Sequence, residues 1–315
     1  MNVEIGLMVE GQDGLNWQNW QQILETAERL GYQSVFRSDH FVNPHPPDKD
    51  SLELWVSLAY AAQATERIEF GPLVSPITFR HPMMTLRYAS AIDDLSGGRL
   101  VLGLGAGWMD REHENYSIPY PDVPTRFAML TEQLAFSTRI LDDPQPLDYA
   151  GQHYQLKEAV LLPRPKRRFP ILIGGNGPLR TLPLAAQFAQ EWNGVYLNID
   201  RYRERQQQLN EAIAAVGRSP ADVKRSLMAG FRWFKDRASL NEQLQAASEE
   251  RGQEVTLESL RGVGLFVGTS EMIIAQLAEY AAAGCQRFML QITDNDDLEP
   301  IHTFAEEILP HCQRR

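Results

Sequence analysis

Short apolar runs in the chain repeatedly end in polar or glycine-containing turns, and each turn leads into an amphipathic helical pattern. The first run, residues 3–9, is followed by residues 17–30, whose apolar side chains recur at helical spacing until Gly31 interrupts them. Strands of a parallel sheet are buried on both faces and therefore read as continuous apolar stretches. The repeated order of strand, turn and helix predicts an α/β fold built on a parallel sheet.

The alternation can be followed along the whole chain and gives eight strands and eight helices. Strands are predicted at residues 3–9, 32–37, 68–74, 100–105, 170–174, 194–197, 226–234 and 287–292. Helices are predicted at residues 17–30, 51–65, 81–95, 125–141, 179–189, 201–216, 271–283 and 298–309. Eight β/α units predict a TIM (β/α)8 barrel, whose functional groups lie at the carboxyl ends of the strands.

Two stretches are longer than the usual connections in such a barrel. Residues 142–169 contain a predicted hairpin around residues 149–152, and residues 238–264 contain a predicted polar helix. Because no linker or low-complexity segment divides the chain, we predict a single domain over residues 1–315 with these two insertions.

Composition disfavours several classes of function. The formal net charge is −11 and the acidic residues are scattered, which disfavours a nucleic-acid surface or a basic membrane-binding helix. No apolar run approaches the roughly 20 residues that span a bilayer, and the first residues lack a signal-peptide pattern. Two cysteines are too few for a disulfide framework. We expect a cytoplasmic protein with free thiols that acts on a small molecule.

Asp39 and His40 follow the second strand, at the face where barrel enzymes place catalytic groups. A neighbouring carboxylate and imidazole could orient a ligand and move a proton near neutral pH. The alternative is a structural pair that caps the loop. His45 and His81 also lie near strand ends, so a metal-dependent barrel hydrolase is conceivable, but no recognisable ligand spacing supports it and we assign no metal ligand.

The end of the third strand has an unusual composition. In residues 71–82, prolines and a glycine bracket an apolar strand end that would otherwise be a simple turn. A bent strand end of this kind could press a backbone bulge against a flat ligand. The alternative is a connection that proline makes rigid.

A run of small residues, Gly103-Leu104-Gly105-Ala106-Gly107-Trp108, ends the fourth strand. It allows backbone amides to approach a ligand and leaves the Trp108 side chain as a possible wall. The spacing, helix start and ribose-binding acid of a dinucleotide fingerprint are absent, so we reject a Rossmann interpretation.

A second glycine-rich turn, residues 174–181, follows the fifth strand and precedes a helix with Pro178 in a favoured starting position. Free amides at a helix start suit a phosphate, and Arg180 and Thr181 could add a charge and a hydroxyl group. The alternative is a flexible turn.

Taken in order, these motifs resemble the bacterial-luciferase-like superfamily of flavin- and deazaflavin-dependent oxidoreductases, and most of all the branch that uses coenzyme F420. The matching segments are residues 32–40, 65–68, 79–82, 95–100, 105–108, 151–154, 173–177 and 267–284. Each segment is weak by itself, but together they cover nearly the whole chain in the expected order and are highly specific.

The resemblance implies a barrel that holds an isoalloxazine or deazaisoalloxazine ring at its carboxyl face. Asp39 and His40 match the position that contacts the ring or the reacting centre, and His40 is the candidate acid or base. Leu73 and Val74 match a non-prolyl cis peptide behind the ring. The residues expected at the ring edge are Gly105, Ala106, Gly107 and Trp108, and those expected at the phosphate end are Gly175, Asn176, Gly177, Arg180 and Thr181.

The match has one gap. Some deazaflavin sugar-phosphate dehydrogenases carry a glutamate directly after the small-residue turn, where this chain has Trp108. Their proton transfer and their sugar substrate therefore cannot be carried over to this chain. Asp110 and Glu112 lie nearby but are not equivalent to that glutamate.

The function implied by the resemblance is hydride transfer between coenzyme F420 and a small organic substrate. The first alternative is an FMN-dependent monooxygenase that receives reduced flavin from a partner reductase. A flavin-binding protein without turnover is a further alternative. The resemblance also makes a homodimer plausible.

Overall fold

The computed structural model describes residues 1–312, in which most strands are followed by a helix. Its strands are β1 Glu4–Val9, β2 Ser34–Arg37, β3 Glu69–Pro72, β4 Ser75–Pro76, β5 Leu102–Gly105, β6 Leu147–Ala150, β7 Gln155–Ala159, β8 Ile171–Gly174, β9 Glu191–Val195, β10 Lys224–Trp233, β11 Phe266–Gly268 and β12 Arg287–Ile292. Its helices are α1 Trp17–Leu30, α2 Leu54–Ala64, α3 Pro82–Leu95, α4 Asp110–Asn115, α5 Val123–Asp142, α6 Thr181–Phe188, α7 Ile199–Ala215, α8 Arg237–Arg251, α9 Leu257–Gly262, α10 Ser270–Ala282, α11 Glu299–Glu307 and α12 Leu309–Cys312.

The main sheet closes into a barrel. Its strand order is β3-β2-β1-β12-β10-β9-β8-β5-β4, and every neighbouring pair is parallel. A parallel bridge between Phe70 of β3 and Leu100, two residues before β5, completes the ring. The strands approach so closely there that a Cβ atom at Gly71 would lie 1.9 Å from the carbonyl oxygen of Val101. With β3 and β4 counted as one interrupted strand, the predicted eight-stranded TIM barrel is confirmed.

The third barrel strand differs from the continuous strand predicted at residues 68–74. It divides into β3 and β4 because Leu73 and Val74, joined by a cis peptide bond, leave the ladder between them. Leu73 packs inside the barrel with the buried side chains Met8, Phe36, Val101, Leu172, Met228 and Met289. The bulge therefore lies directly above the packed interior of the barrel.

The prediction of a strand at residues 194–197 was wrong in its position. The observed strand, β9, begins at Glu191, and its first residues carry the polar side chains of Glu191 and Asn193. Both side chains are buried: Glu191 pairs with Arg287 of β12, and the Asn193 amide donates to Ser226 of β10. A search for apolar runs misses a buried strand that begins with polar residues of this kind.

The helix predicted at residues 179–189 also begins later than expected. Pro178 lies in a turn and not in the first helical position, because α6 starts at Thr181. The amide of Leu182 donates to the carbonyl oxygen of Gly177 at 3.0 Å and fixes this turn against the helix.

Both insertions contain the elements expected of them. Residues 142–169 include the antiparallel hairpin of β6 and β7, and the polar insertion contains α8 and also α9. The second insertion has an apolar cluster of its own, in which Leu240, Val255 and Leu260 pack with Val267 of β11.

The amino-terminal ends of the strands are closed by a cluster of charged side chains. Arg287, 1% exposed, pairs with Glu4, Glu69 and Glu191, and Lys224 adds a second cation beside Glu4. These residues are the first of their strands, so the cluster lies at the opposite end of the barrel from the carboxyl face. Across residues 1–312, the helices include none with the length and apolar character required to traverse a bilayer.

Candidate active site

A cavity of about 520 Å³ opens at the carboxyl end of the barrel. Its wall is apolar toward the barrel interior and polar toward the loops that follow β1, β2 and β5. The lining residues are Met8, Glu10, Gln12, Asp13, Ser38, His40, Asn43, Pro44, Leu73, Val74, Pro76, Gly107, Trp108, Glu112, Gly174, Gly175, Asn193, Val195, Met228 and Gln291. The size is appropriate for a ligand of cofactor-ring dimensions together with a small substrate.

The cis bulge forms one wall of this cavity. Val74 occupies space that three glycines on neighbouring strands leave open: a Cβ atom would lie 2.5 Å from its Cγ2 at Gly105, 3.0 Å from its Cγ1 at Gly174 and 3.4 Å from its Cγ1 at Gly103. Contacts below about 3.0 Å would require the valine to move. The glycines of β5 and β8 therefore leave the space that Val74 fills. The cis bond implied by the family resemblance is present at Leu73-Val74.

His40 lies at the cavity wall and is paired with Glu112 on α4. The Nδ1 atom of His40 is 3.0 Å from Oε1 of Glu112, while Oε2 of the same carboxylate accepts the backbone amide of Phe41 at 3.1 Å. Because the carboxylate accepts at both oxygens, Nδ1 carries the proton and Nε2 is the ring nitrogen left for a ligand. The imidazole also meets the Trp108 ring edge to face at 5.3 Å.

The electrostatic setting of His40 favours its protonated form. Burial of the ring acts to lower the pKa of His40, but the hydrogen bond and the negative charge of Glu112 act in the opposite direction, and the pKa is raised overall. Glu10 and Asp39 add smaller contributions of the same sign. The group can therefore give or take a proton near neutral pH.

Glu112 itself was not among the residues chosen from the sequence. It is 1% exposed and lies in a short helix that begins five residues after β5. The only feature of the sequence that pointed to Glu112 was the acidic run Asp110–Asn115 after the small-residue turn. Such a run is equally typical of a solvent-exposed helix start.

Asp39 does not line the cavity. Its carboxylate is buried and accepts two hydrogen bonds from Arg80, at 2.5 and 3.1 Å, and one from the Ser75 hydroxyl group at 2.9 Å. Asp39 thus ties the end of β2 to β4 behind the bulge. Asp39 and His40 are adjacent in the sequence, but their side chains point in different directions, and only the His40 side chain faces the cavity.

The small-residue turn after β5 contributes its last two residues to the wall. Gly107 and Trp108 line the cavity, whereas Gly105 and Ala106 do not. Trp108 is 64% exposed and also borders a shallower pocket formed with residues 120–127. It stands between the two openings.

The turn between β8 and α6 lies beside the cavity, and Gly175 is its lining residue. Five backbone amides on either side of Pro178 donate to no other described residue: Asn176, Gly177, Leu179, Arg180 and Thr181. The Asn176 side chain is not available, because it exchanges hydrogen bonds of 2.7 and 2.9 Å with the backbone of Val195. Arg180 is exposed, and its guanidinium group lies 5.8 Å from the centre of the Phe127 ring. Amides in this arrangement can receive an anion.

Asn193 supplies an unpaired acceptor deep in the cavity. Its side chain is fully buried, its Nδ2 donates to Ser226 at 2.9 Å, and its Oδ1 has no partner among the described residues. A buried polar atom without a partner costs about 1–3 kcal/mol. The unpaired oxygen fits a planar heterocycle that carries an N–H group.

A further polar residue of the cavity wall, Glu10, was missed by sequence reasoning. Glu10, after β1, accepts hydrogen bonds from Gln12 at 3.0 Å and from Gln291 of β12 at 2.5 Å.

No group of three or more His, Cys, Asp or Glu side chains within residues 1–312 is arranged to hold a metal ion.

The barrel, the bulge beside a deep cavity and the His-Glu pair define a class of β/α-barrel enzymes. The family model described as luciferase-like monooxygenase matches residues 4–287, and the chain belongs to this family. The chain is 25% identical over 310 residues to a protein of Microbacterium testaceum named F420-dependent glucose-6-phosphate dehydrogenase, covering 92% of this chain and 91% of that protein.

Solved structures show the same fold. One is described as an F420-dependent secondary alcohol dehydrogenase in complex with an F420-acetone adduct; it has a TM-score of 0.85, 18% identity and full coverage of both chains. Another is the oxygenating constituent of 3,6-diketocamphane monooxygenase of Pseudomonas putida in complex with FMN, with a TM-score of 0.76, 17% identity and 98% coverage of both chains. The expected luciferase-like family is therefore confirmed, and this chain is an oxidoreductase of that class.

Proposed function

We propose that this protein is a coenzyme F420-dependent oxidoreductase that transfers a hydride between the deazaflavin and a small organic substrate. The observation that carries the proposal is the position of His40, whose free Nε2 faces the same cavity as the Leu73-Val74 bulge. A relative that matches over nine-tenths of the chain is named as F420-dependent, which supports the choice of cofactor.

The residues present fit such a cofactor. The bulge at Leu73 and Val74 gives the ring a flat apolar support, and Asn193 offers its unpaired oxygen to a ring N–H group. Gly107 and Trp108 would border the ring edge. The phosphate end would bind at Gly175, Asn176, Gly177, Arg180 and Thr181, through the free backbone amides of the last four and the Arg180 charge.

The cofactor supplies hydride chemistry when it is bound. The protein's own part is proton handling and positioning. His40 exchanges a proton with the substrate at Nε2, while Glu112 fixes the ring orientation and stabilises the imidazolium form. Asp39 holds Arg80 and Ser75, and it thereby positions the strand ends on either side of the bulge.

Cofactor titration of the purified protein tests the proposal. Coenzyme F420 and FMN are added separately, and binding is followed by fluorescence and calorimetry. We expect binding of the deazaflavin; binding of FMN alone would overturn the proposal. The variant Gly177→Asp should weaken cofactor binding by charge repulsion, and Gly177→Asn, with the same shape but no charge, is the matched control.

His40→Ala tests the catalytic assignment separately. General acid-base groups contribute roughly 10²–10⁴-fold to turnover. We expect a loss of turnover in this range with little change in the affinity for the cofactor. Unchanged turnover would remove His40 from the reaction.

An FMN-dependent monooxygenase is the second candidate. It is supported by the family description and by a structural neighbour that contains FMN. In that case the protein would need reduced flavin from a partner reductase, and oxygen consumption would depend on adding such an enzyme.

We also propose that the protein forms a homodimer. Large apolar side chains are exposed on two adjacent helices: Val56 on α2, and Met84, Tyr88 and Leu95 on α3. Sedimentation equilibrium would report the mass directly, and a monomer at micromolar concentration would contradict this proposal.

A further inference from the structure

The cavity wall carries negative charge without a matching cation. Among the described residues that line it are three carboxylates, Glu10, Asp13 and Glu112, together with one imidazole, His40, and no lysine or arginine. Glu112 is matched by His40, but no lysine or arginine lines the cavity beside Glu10 and Asp13. The nearby Lys49, an exposed residue that does not line the cavity, acts on Asp13 with the opposite charge. An anionic ligand beside Glu10 and Asp13 would meet repulsion from two carboxylates and no cation in the wall itself.

Two acceptors in the wall have no partner. The Asp13 carboxylate accepts no hydrogen bond from the described residues, and burial together with the nearby charge of Glu10 raises its pKa. The buried Oδ1 of Asn193 is an independent acceptor without a partner. Gln12 and Gln291 each donate one N–H group to Glu10 and keep one more. The two free acceptors, one of them a carboxylate, favour ligands that donate hydrogen bonds.

Three arginines lie on other sides of the cavity mouth. Arg180 and Arg205 are near the turn after β8, where Arg205 donates to the carbonyl oxygen of Asn176 at 3.0 Å. Arg126 lines the shallow pocket beyond Trp108. This separation draws an anionic cofactor tail toward the β8 turn and leaves the side formed by β1 and β12 unsuited to anions.

Resting on the proposed function, we propose that the substrate is a small hydroxyl compound without an anionic group, bound through its O–H groups to the acidic side of the cavity at Glu10 and Asp13. The carbon that bears the hydroxyl group loses a hydride to the oxidised cofactor, and the O–H proton passes to Nε2 of neutral His40. The alcohol loses two electrons and two hydrogen atoms and becomes a carbonyl compound.

Matched pairs of compounds that differ in one anionic group test this inference. The pairs are glycerol and glycerol 3-phosphate, glucose and glucose 6-phosphate, and propane-1,2-diol and lactate. Binding is measured by calorimetry with cofactor-loaded and with cofactor-free protein, and turnover is measured with the loaded protein. We expect the neutral member to bind better by roughly tenfold or more, from the repulsion between unit charges at an effective dielectric of about 20.

The variant Asp13→Asn removes one charge from the wall and replaces one of the two carboxylate acceptors proposed for the substrate O–H groups with a neutral amide. It should weaken binding of the neutral members, and it should improve binding of the anionic member of each pair relative to the neutral member by roughly tenfold. Glu25→Gln, at an exposed position on α1, removes the same charge far from the cavity and is the matched control. Any improvement should therefore be absent in the control.

The outcomes separate the two proposals. Failure of both cofactors to bind would refute the proposed function, and the ligand preference could still be read from cofactor-free protein. Equal or tighter binding of the anionic members to protein with bound cofactor would overturn the substrate inference alone. So would failure of every neutral compound to bind, or identical behaviour of Asp13→Asn and Glu25→Gln.

Discussion

The pairing of His40 with Glu112 leads to a prediction about pH-dependent stability. The variant Glu112→Gln keeps the shape of the side chain but removes the charge that opposes the effect of burial on the imidazole. One amide oxygen cannot serve both His40 Nδ1 and the Phe41 amide, so the variant loses the charge-assisted hydrogen bond at 3.0 Å. Such bonds contribute about 1.5–3 kcal/mol, and we expect a loss of this size in the free energy of unfolding.

The loss should depend on pH in a definite direction. The pKa of His40 in the folded protein lies above its ordinary value of 6.5, so the stabilisation by the pair is fully present below pH 6.5 and disappears as the pH rises through the folded pKa. Urea unfolding at about pH 5.5 and about pH 9 measures the difference between variant and wild type. The difference should be larger at the lower pH.

A matched control lies two residues away. Glu114→Gln changes an exposed carboxylate on the same helix and should leave unfolding nearly unchanged at both pH values. NMR titration of the His40 ring provides a second measurement, because its pKa should fall in Glu112→Gln. A stability difference that is independent of pH, or that grows as pH rises, would refute the reasoning about this pair.

Three further variants probe the scaffold around the site. Gly105→Ala places a Cβ atom 2.5 Å from Val74 Cγ2, so we expect about 1–3 kcal/mol of destabilisation and weaker cofactor binding, measured by urea unfolding and titration. Arg80→Met leaves the buried Asp39 carboxylate without its guanidinium partner and should cost about 3–5 kcal/mol of unfolding free energy near neutral pH. Arg287→Met removes the cation from among three carboxylates at the other end of the barrel and should destabilise by a similar amount of about 3–5 kcal/mol, without a direct effect on the cavity.

Each of these variants has a control. Gly262→Ala adds a methyl group where no atom lies within 4 Å and should not affect cofactor binding. Arg80→Lys and Arg287→Lys keep the charge and should recover part of the stability. Normal cofactor affinity in Gly105→Ala, or a loss of less than about 1 kcal/mol in either methionine variant, would contradict the packing and pairing arguments.

The barrel was predictable because its signal is local. Each strand and helix can be recognised within a window of about ten residues, and the repetition of the pattern fixes the architecture. The bulge at Leu73-Val74 was predictable only through family resemblance, since composition alone also allowed a rigid connection. Pro178 was misplaced because a proline-containing turn and a helix start share the same composition.

The polar wall of the cavity could not be found from spacing. Glu10 meets Gln291 because β1 pairs with β12, which places Met8 opposite Gln291 across nearly the full length of the chain. Glu112 meets His40 across 72 positions. These contacts are consequences of barrel closure, and no local pattern reports them.

The second insertion has a consequence for how such proteins diversify. An apolar cluster separate from the barrel core is formed against β11 by Leu240, Val255 and Leu260. Helices α8 and α9 therefore pack on this cluster and not into the central core. A segment that brings its own packing can be lengthened, shortened or exchanged during evolution while the barrel retains its interior. Changes within α8 and α9 would fall on this separate cluster and leave the packing inside the barrel in place.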